Sequence, residues 1–175
     1  TLFRSGTVQL NGYPPEAVRP YLAYVPQKEE VDYHFPATVE DVVRAGRLAH
    51  ARVLGPLTAA DEALVTAALA ATDIEALRTR PIGELSGGQQ QRAYIARALC
   101  QQAEVYLLDE PFVGVDQATE ARLMGVLRDL AAQGKLVLMI HHDLARAAEY
   151  FDEVILLNQH VVATGPPDQV LAPDV

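Results

Sequence analysis

The chain has 175 residues, of which 50% are hydrophobic, and its formal net charge is −9. This length suits one domain, and the apolar share is enough for a substantial core. The acidic balance argues against general nucleic-acid binding, which needs Lys and Arg to neutralise phosphates. The single cysteine, Cys100, excludes an internal disulfide. No apolar run is long enough to span a bilayer and no signal-peptide pattern opens the sequence, so a membrane role would have to come through a partner.

The start of the chain predicts a strand, a turn and a second strand. Residues 7–10 alternate between polar and apolar side chains, and Asn11-Gly12 is a strong turn signal. Residues 21–25 form a short apolar run that ends at Pro26, directly before Gln27. We therefore expect two short strands ahead of the middle of the chain.

Two capping boxes predict helices in the middle of the chain. Thr38 is followed three positions later by Asp41, and Thr58 by Asp61, which is the spacing of reciprocal caps at a helix start. Apolar residues at helical spacing follow each box. The region from about residue 38 to residue 101 is therefore predicted to be helical and inserted between strands.

The stretch 85–92, Leu-Ser-Gly-Gly-Gln-Gln-Gln-Arg, begins the last helix of that region. Ser86 is a good N-cap, and Gln89 occupies the reciprocal capping position. Gly87 and Gly88 have no side chains, so a ligand can approach their backbone N–H groups closely. A helix N-terminus with exposed N–H groups binds anions, above all phosphate. The alternative is an ordinary capped helix in which the glycines only relax the entry turn.

A second polar motif follows within a dozen residues. The apolar run 105–108 ends in Asp109, Glu110 and Pro111. Open α/β sheets bind ligands at the carboxyl ends of their strands, and Mg²⁺ takes oxygen ligands, usually one or two carboxylates with phosphates and water. A solvated loop is the alternative, but the apolar run before the acids and the proline after them argue against it.

The rest of the chain alternates strands with helices. Three short apolar runs, 105–108, Leu136–Ile140 and 154–157, are typical of a parallel sheet buried on both faces. A helix over Gln117–Ala132, closed by a glycine two residues later, separates the first two runs. Residues 161–167 predict a terminal hairpin and exit. The alternation predicts an α/β domain.

Taken together, these motifs resemble those of the ATP-binding subunits of ABC transporters. In the family's order, Val25-Pro26-Gln27 resembles the Q-loop entrance, 85–92 the signature, 105–110 Walker B, Gly114-Val115-Asp116 the D-loop, and His142 before Asp143 the switch histidine. The resemblance implies a P-loop NTPase (RecA-like) α/β core with a parallel sheet and an inserted α-helical subdomain.

The same resemblance implies boundaries and a branch within the family. It implies an N-terminal β part at 1–27, a Q-loop and helical subdomain with the signature at 28–101, and the remaining core at 102–175. Residues 29–36, 111–116 and 150–152 are similar to the branch that imports manganese, zinc or iron.

The resemblance also assigns roles to the motif residues. Asp109 and Gln27 would hold the Mg²⁺ of MgATP, Glu110 would be the general base for the attacking water, and His142 would hydrogen-bond the γ-phosphate. Asp116 would help to join two nucleotide-binding domains, and it is equally suited to cap the next helix. The implied nucleotide contacts are Gln27, Ser86, Gly87, Gly88, Gln89, Asp109 and Asp116.

Adjacent histidines at 141 and 142 also suggest a metal site. Consecutive residues of an extended segment point to opposite faces, however, and therefore chelate one ion poorly. We accordingly expect His142 to serve the nucleotide rather than a metal.

The mechanism implied is an ATP sandwich between two copies arranged head to tail. The implied partners are the second copy, a membrane permease and, indirectly, a metal-binding solute-binding protein, without nucleic acid. The implied location is the cytoplasmic face of the plasma membrane, reached through the permease. A soluble ABC ATPase without a transport role and a fragment that cannot use nucleotide are the alternatives.

One motif of the family does not occur among the 175 residues. It is the string Gly-x-x-x-x-Gly-Lys-Ser/Thr, which cradles the phosphates and supplies their lysine. The family places it upstream of residues 7–10, and Thr1-Leu2-Phe3-Arg4 resembles the residues directly after its lysine and serine. We therefore expect this chain alone to be inactive towards ATP. A truncated N-terminus and a junction around a gap near Arg4 and Ser5 both remain open.

Overall fold

The computed structural model describes residues 7–10, 12–27, 36–49 and 56–172. The chain forms two compact units, Thr1–Met139 and Ile140–Val175. No helix among the described residues is long and apolar enough to cross a membrane. The helices and strands are α1 (Pro15–Val18), β1 (Leu22–Val25), α2 (Val39–Ala45), α3 (Ala59–Ala71), α4 (Gly87–Gln101), β2 (Val105–Asp109), α5 (Gln117–Ala132), β3 (Leu136–Ile140), α6 (Leu144–Tyr150), β4 (Val154–Asn158), β5 (His160–Gly165) and α7 (Pro167–Val170), with 3₁₀ turns at Arg19–Tyr21, Gly46–Ala49, Glu75–Leu77 and Ile82–Glu84.

The central sheet is built on the parallel pairing of β1 with β2. Its register runs from Leu22 opposite Val105 to Val25 opposite Leu108. β3 lies on the other side of β2, which gives the strand order β1-β2-β3. Because side chains alternate between the two faces of a strand, one set from β1 and β2 enters the core. These fully buried residues are Ala23, Val25, Tyr106 and Leu108.

Both predicted capping boxes are confirmed. In each, the threonine Oγ1 accepts from the backbone N–H of the aspartate, and the aspartate carboxylate accepts from the N–H of Thr38 or Thr58. α2, α3 and α4, which lie between β1 and β2 in the sequence, pack against one another. Their buried apolar residues include Val39, Val43, Val65, Leu69, Ile95 and Leu99. The predicted helical insertion is therefore confirmed over the described residues.

The strand predicted at residues 7–10 does not form. Leu10 and Tyr13 make a single isolated bridge, in which each N–H donates to the carbonyl of the other at 2.8 and 3.0 Å. Gly12 lies between them with φ of 80°. A tight turn of this kind closes one antiparallel pair, and without further cross-strand pairs a short strand has little to stabilise it.

The placement of 154–157 in a parallel sheet is also wrong. β4 pairs antiparallel with β5 in a separate two-stranded sheet, and Gln159 turns the chain between them with φ of 60°. A connection this short can only return antiparallel, because a parallel pair needs a crossover of a dozen or more residues. A terminal hairpin does form, but its other strand is β4 and its turn lies at Gln159, whereas the predicted turn at 165–167 leads into α7.

β3 departs from the expectation of burial on both faces. Leu136 is 54% exposed and Leu138 is 51% exposed. Both residues lie on the same side of the strand, because side chains two apart share a face. The predictions that fall on 1–6, 11 and 28–35 lie outside the described residues and stay predictions.

Gly46 is a close-approach glycine between the helices. Its φ of −60° is open to any residue, so its conformation does not require glycine. A Cβ at this position would lie 2.3 Å from the carbonyl oxygen of Arg97 in α4. Because that oxygen belongs to a helix backbone, it cannot move aside as a flexible side chain could. Gly46 therefore sets how near the end of α2 comes to α4.

We expect Gly46→Ala to lower the free energy of unfolding by about 1–3 kcal/mol through overpacking. Gly125→Ala is the matched control, since Gly125 lies inside α5 and a Cβ there meets nothing within 4 Å. The control should raise the free energy of unfolding by about 0.5–1 kcal/mol, because alanine favours a helix. Urea unfolding measures both variants. Equal stability of the two would show that the contact with Arg97 does not constrain the fold.

Candidate functional site

The parallel register of the sheet brings the predicted Q-loop glutamine to the predicted Walker B acids. β1 and β2 are paired up to Val25 and Leu108, so two further residues along each chain place Gln27 opposite Glu110. The Gln27 Nε2 donates a hydrogen bond of 2.9 Å to Glu110 Oε2. Both residues are half-buried. Two polar side chains that are 83 positions apart in sequence therefore share one site.

Glu110 has a backbone conformation that is unusual for its residue type. Its φ is 44°, in the left-handed region, where an L-residue costs roughly 1–2 kcal/mol. A turn accompanies this geometry: the N–H of Val113 donates to the carbonyl of Glu110, and Phe112 within the turn is buried. Non-glycine residues in such conformations concentrate at functional sites, where the fold holds them in place.

Asp109 is the last residue of β2 and is half-buried. Its carboxylate makes no hydrogen bond or ion pair with any other described residue, so its oxygens are available to a ligand. The amide oxygen of Gln27 is a further acceptor, since the nitrogen of that amide already donates to Glu110. Carboxylate and amide oxygens are ligands that suit Mg²⁺, so the residues present fit that ion.

The signature stretch begins α4 with the predicted capping box. Ser86 Oγ accepts from the N–H of Gln89 at 3.4 Å, and Gln89 Oε1 accepts from the N–H of Ser86 at 3.0 Å. The first N–H groups of a helix have no acceptor within the helix, and here they belong to Gly87 and Gly88. The hydroxyl proton of Ser86 is not used by the cap. The start of α4 therefore offers several donors to an anion.

The start of α4 and the predicted D-loop form the two walls of one cleft of about 180 Å³, here called the signature cleft. The walls touch through glycine backbones, since a Cβ on Gly88 would lie 2.4 Å from the carbonyl oxygen of Gly114. Gly114 itself has φ of 77°, which favours glycine. The cleft is lined by Ser86, Gly88, Gln89, Arg92, Gly114, Val115 and Asp116.

Asp116 caps α5. Its carboxylate accepts from the N–H of Thr119 at 3.0 Å and from the Thr119 hydroxyl at 2.7 Å. The hydrogen bond from the Thr119 side chain lowers the pKa of Asp116, which keeps the carboxylate charged. The capping alternative is therefore observed, and the role of Asp116 between two nucleotide-binding domains stays a prediction.

Arg92, the last residue of the signature stretch, lines the cleft although it is not among the implied nucleotide contacts. Its Nη1 donates to the carbonyl of Asp73 at 2.9 Å and lies 3.5 Å from the Asp73 carboxylate, so the guanidinium is held in place. Arg92 follows Gly88 by four positions on α4, which puts both on one face of the helix. That spacing is the signal in the sequence that could have identified it.

The second compact unit carries the predicted switch histidine. The ring centroid of His141 lies 5.9 Å from that of Phe151 and 6.2 Å from that of Tyr150, within an aromatic cluster. His142, by contrast, is exposed. Asp143 caps α6, since its Oδ1 accepts from the N–H of Arg146 at 3.3 Å. His142 is thus the solvent-exposed member of the pair, and its catalytic role stays a prediction.

A parallel α/β sheet with acids at a strand end, combined with a glycine-rich helix start, defines a nucleotide-binding domain. The family model described as "ABC transporter" matches residues 2–113, and the chain belongs to this family. The resemblance of its motifs to the family's signature and Walker B is therefore confirmed at the level of the family.

Two relatives and one solved structure show how similar the chain is to known proteins. It is 44% identical over 171 residues to the manganese transport system ATP-binding protein MntB of Halalkalibacterium halodurans, covering 98% of this chain and 68% of that protein. It is 45% identical over 161 residues to the zinc transport system ATP-binding protein TroB of Treponema pallidum, covering 92% and 60%. An ATP-binding subunit of an ABC transporter superposes with a TM-score of 0.81 at 27% identity, covering 95% of this chain and 69% of that one. The chain thus spans about two thirds of the length of its relatives.

We expect Ser86→Asp and Ser86→Asn to differ in ATP hydrolysis but not in stability. Both residues are good N-caps, so the free energies of unfolding should agree within about 0.5 kcal/mol. Only aspartate places a negative charge where an anionic phosphate would bind. ATP turnover by the complete gene product should therefore be at least about tenfold lower with aspartate. Equal turnover of the two variants would show that the start of α4 does not face the phosphate.

Proposed function

We propose that this chain is the nucleotide-binding and hydrolysing part of an ATP-driven importer for a divalent transition metal. Manganese, zinc and ferrous iron are the leading cargoes. The names of the relatives support the cargo, since MntB is a manganese and TroB a zinc transport system ATP-binding protein. The observation that carries the ATPase role is the hydrogen bond from Gln27 to Glu110 at the carboxyl end of the sheet.

The proposed chemistry divides among four side chains, three of which lie at the sheet edge. Glu110 is the general base that takes the proton of the attacking water. Gln27 orients the carboxylate of Glu110 through their hydrogen bond. Asp109 and the amide oxygen of Gln27 would hold Mg²⁺, which when bound supplies positive charge to the phosphates. The exposed imidazole of His142 donates to the γ-phosphate.

The signature cleft acts on the nucleotide of a second copy. The N–H groups of Gly87 and Gly88, the Ser86 hydroxyl and the Gln89 amide point donors at a terminal phosphate, as helix starts do for anions. Asp116, on the opposite wall of the cleft, approaches the second copy at the same junction. The two copies are therefore arranged head to tail, with one nucleotide at each junction.

The proposed partners come from the resemblance to ABC transporters. Besides the second copy, the complex includes a membrane permease whose helices move when the nucleotide junctions close, and a solute-binding protein delivers the metal to that permease. The location is the cytoplasmic face of the plasma membrane, reached through the permease. The 175 residues contain no Walker A string, and we expect them by themselves to bind ATP only weakly.

We expect Glu110→Gln in the complete gene product to bind ATP but to hydrolyse it at least about 100-fold more slowly, since the amide cannot accept the proton of the water. Size-exclusion chromatography with MgATP should show a trapped dimer. Glu104→Gln is the matched control, because Glu104 is exposed and, among the described residues, its side chain pairs only with Lys135, at 2.6 Å. Near wild-type turnover of the Glu110 variant would rule out Glu110 as the base.

The cargo is tested in cells by deleting the gene and measuring manganese, zinc and iron by mass spectrometry while each is scarce. We expect uptake of at least one of these metals to fall, because the permease loses its energy source. The wild-type gene should restore uptake, and the Glu110→Gln allele should not. Unchanged uptake of all three metals, together with a defect for a siderophore, vitamin or amino acid, would refute the metal assignment.

A further inference from the structure

We propose that Arg97, on the signature helix α4, is a positioning residue that holds β1 so that Gln27 faces Glu110. The proposal rests on the proposed ATPase function and adds a residue that none of the sequence motifs includes. Arg97 does not touch the site itself. It acts on the strand that carries Gln27, from the side opposite to β2.

The contact is made to the outer edge of β1. Arg97 Nη2 donates to the carbonyl of Tyr24 at 2.9 Å, three residues before Gln27. One helical turn further along α4, Gln101 Nε2 donates to the carbonyl of Leu22 at 2.9 Å. Carbonyls two apart on a strand point the same way, so the two side chains fasten one edge of β1 while β2 pairs with the other.

The environment of Arg97 distinguishes it from a surface arginine. Its guanidinium lies 4.8 Å from the ring centroid of Tyr94, and burial lowers the pKa of Arg97. No carboxylate among the described residues forms an ion pair with it, so the charge is balanced by a backbone carbonyl and an aromatic face. A partly buried cation without an acid costs more than an apolar side chain would, which argues for a specific task.

The main chain at Arg97 is fixed as firmly as its side chain. The carbonyl of Arg97 is the atom that a Cβ on Gly46 would approach to 2.3 Å, so the end of α2 packs directly against this turn of α4. α4 thus has one end in the signature cleft and the other on β1. A shift of α4 along its axis would move β1, and with it Gln27, relative to Glu110.

The experiment is a double-mutant cycle on ATP turnover by the complete gene product, comparing Arg97→Met with and without Gln27→Ala. Methionine keeps much of the length but removes the donors. With Gln27 present, we expect kcat to fall about tenfold, with KM for ATP changed by no more than about twofold. In the Gln27→Ala background the same substitution should change kcat by less than about twofold. Arg97→Lys, which retains the charge and the ability to donate from a single ammonium group, should recover part of the loss.

Arg19→Met is the matched control, because Arg19 is exposed and its side chain makes no hydrogen bond or ion pair with a described residue. It should behave as wild type. An equal loss from Arg97→Met in both backgrounds would make Arg97 a general structural residue and overturn the proposal. If Arg97→Met does not fold, the same cycle is run with Arg97→Lys, and failure of both to fold likewise overturns it. Absence of hydrolysis by the wild type would instead refute the proposed function itself.

Discussion

The parallel register between β1 and β2 is the constraint on which the site depends. Parallel strands end at the same edge of a sheet, so whatever follows them in sequence is delivered to one place. Val25 opposite Leu108 fixes that Gln27 meets Glu110 rather than Asp109 or Pro111. A slip of one residue would turn every side chain of the strand to the other face, which burial of Ala23 and Val25 forbids. Burial of the apolar side chains of β1 therefore determines which polar residues meet in the hydrogen bond between Gln27 and Glu110.

The position of α4 depends on close contacts between backbones. At its start, Gly88 meets Gly114 with too little room for a Cβ, and near its end the carbonyl of Arg97 leaves none for a Cβ on Gly46. Neither Gly88 nor Gly46 adopts a left-handed backbone conformation, so conformation is not the reason for glycine at these two positions. Glycine instead lets backbones meet where side chains would keep them apart. The helix is thereby wedged between the D-loop turn and α2 without relying on long side chains.

The sequence predicted the helix caps better than the sheets, and the reason is physical. The boxes at Thr38, Thr58 and Ser86 are local, each closing within four residues, so neighbours in sequence decide them. Whether an apolar run joins a parallel or an antiparallel sheet depends on its pairing partner. Residues 154–157 had the composition of a buried parallel strand, but the short link to β5 decided otherwise. The resemblance implied a role for Gln27 with Asp109 at Mg²⁺, but the hydrogen bond of Gln27 to Glu110 and the contacts of Arg97 are seen only in the structure.

Few of the proposed site residues are cations, and the acids among them give a physical reason. Asp109, Glu110 and Asp116 are all acidic, and within the signature cleft Arg92 is the cation that lines the wall. A terminal phosphate brought to such a place must be met mainly by neutral donors, which the helix start provides through Gly87 and Gly88. Neutral donors bind an anion without repelling Mg²⁺, whereas a cluster of lysines would compete with it. In the proposed head-to-tail pair, the acidic sheet edge of one copy and the neutral helix start of the other therefore meet the metal and the terminal phosphate of the same nucleotide.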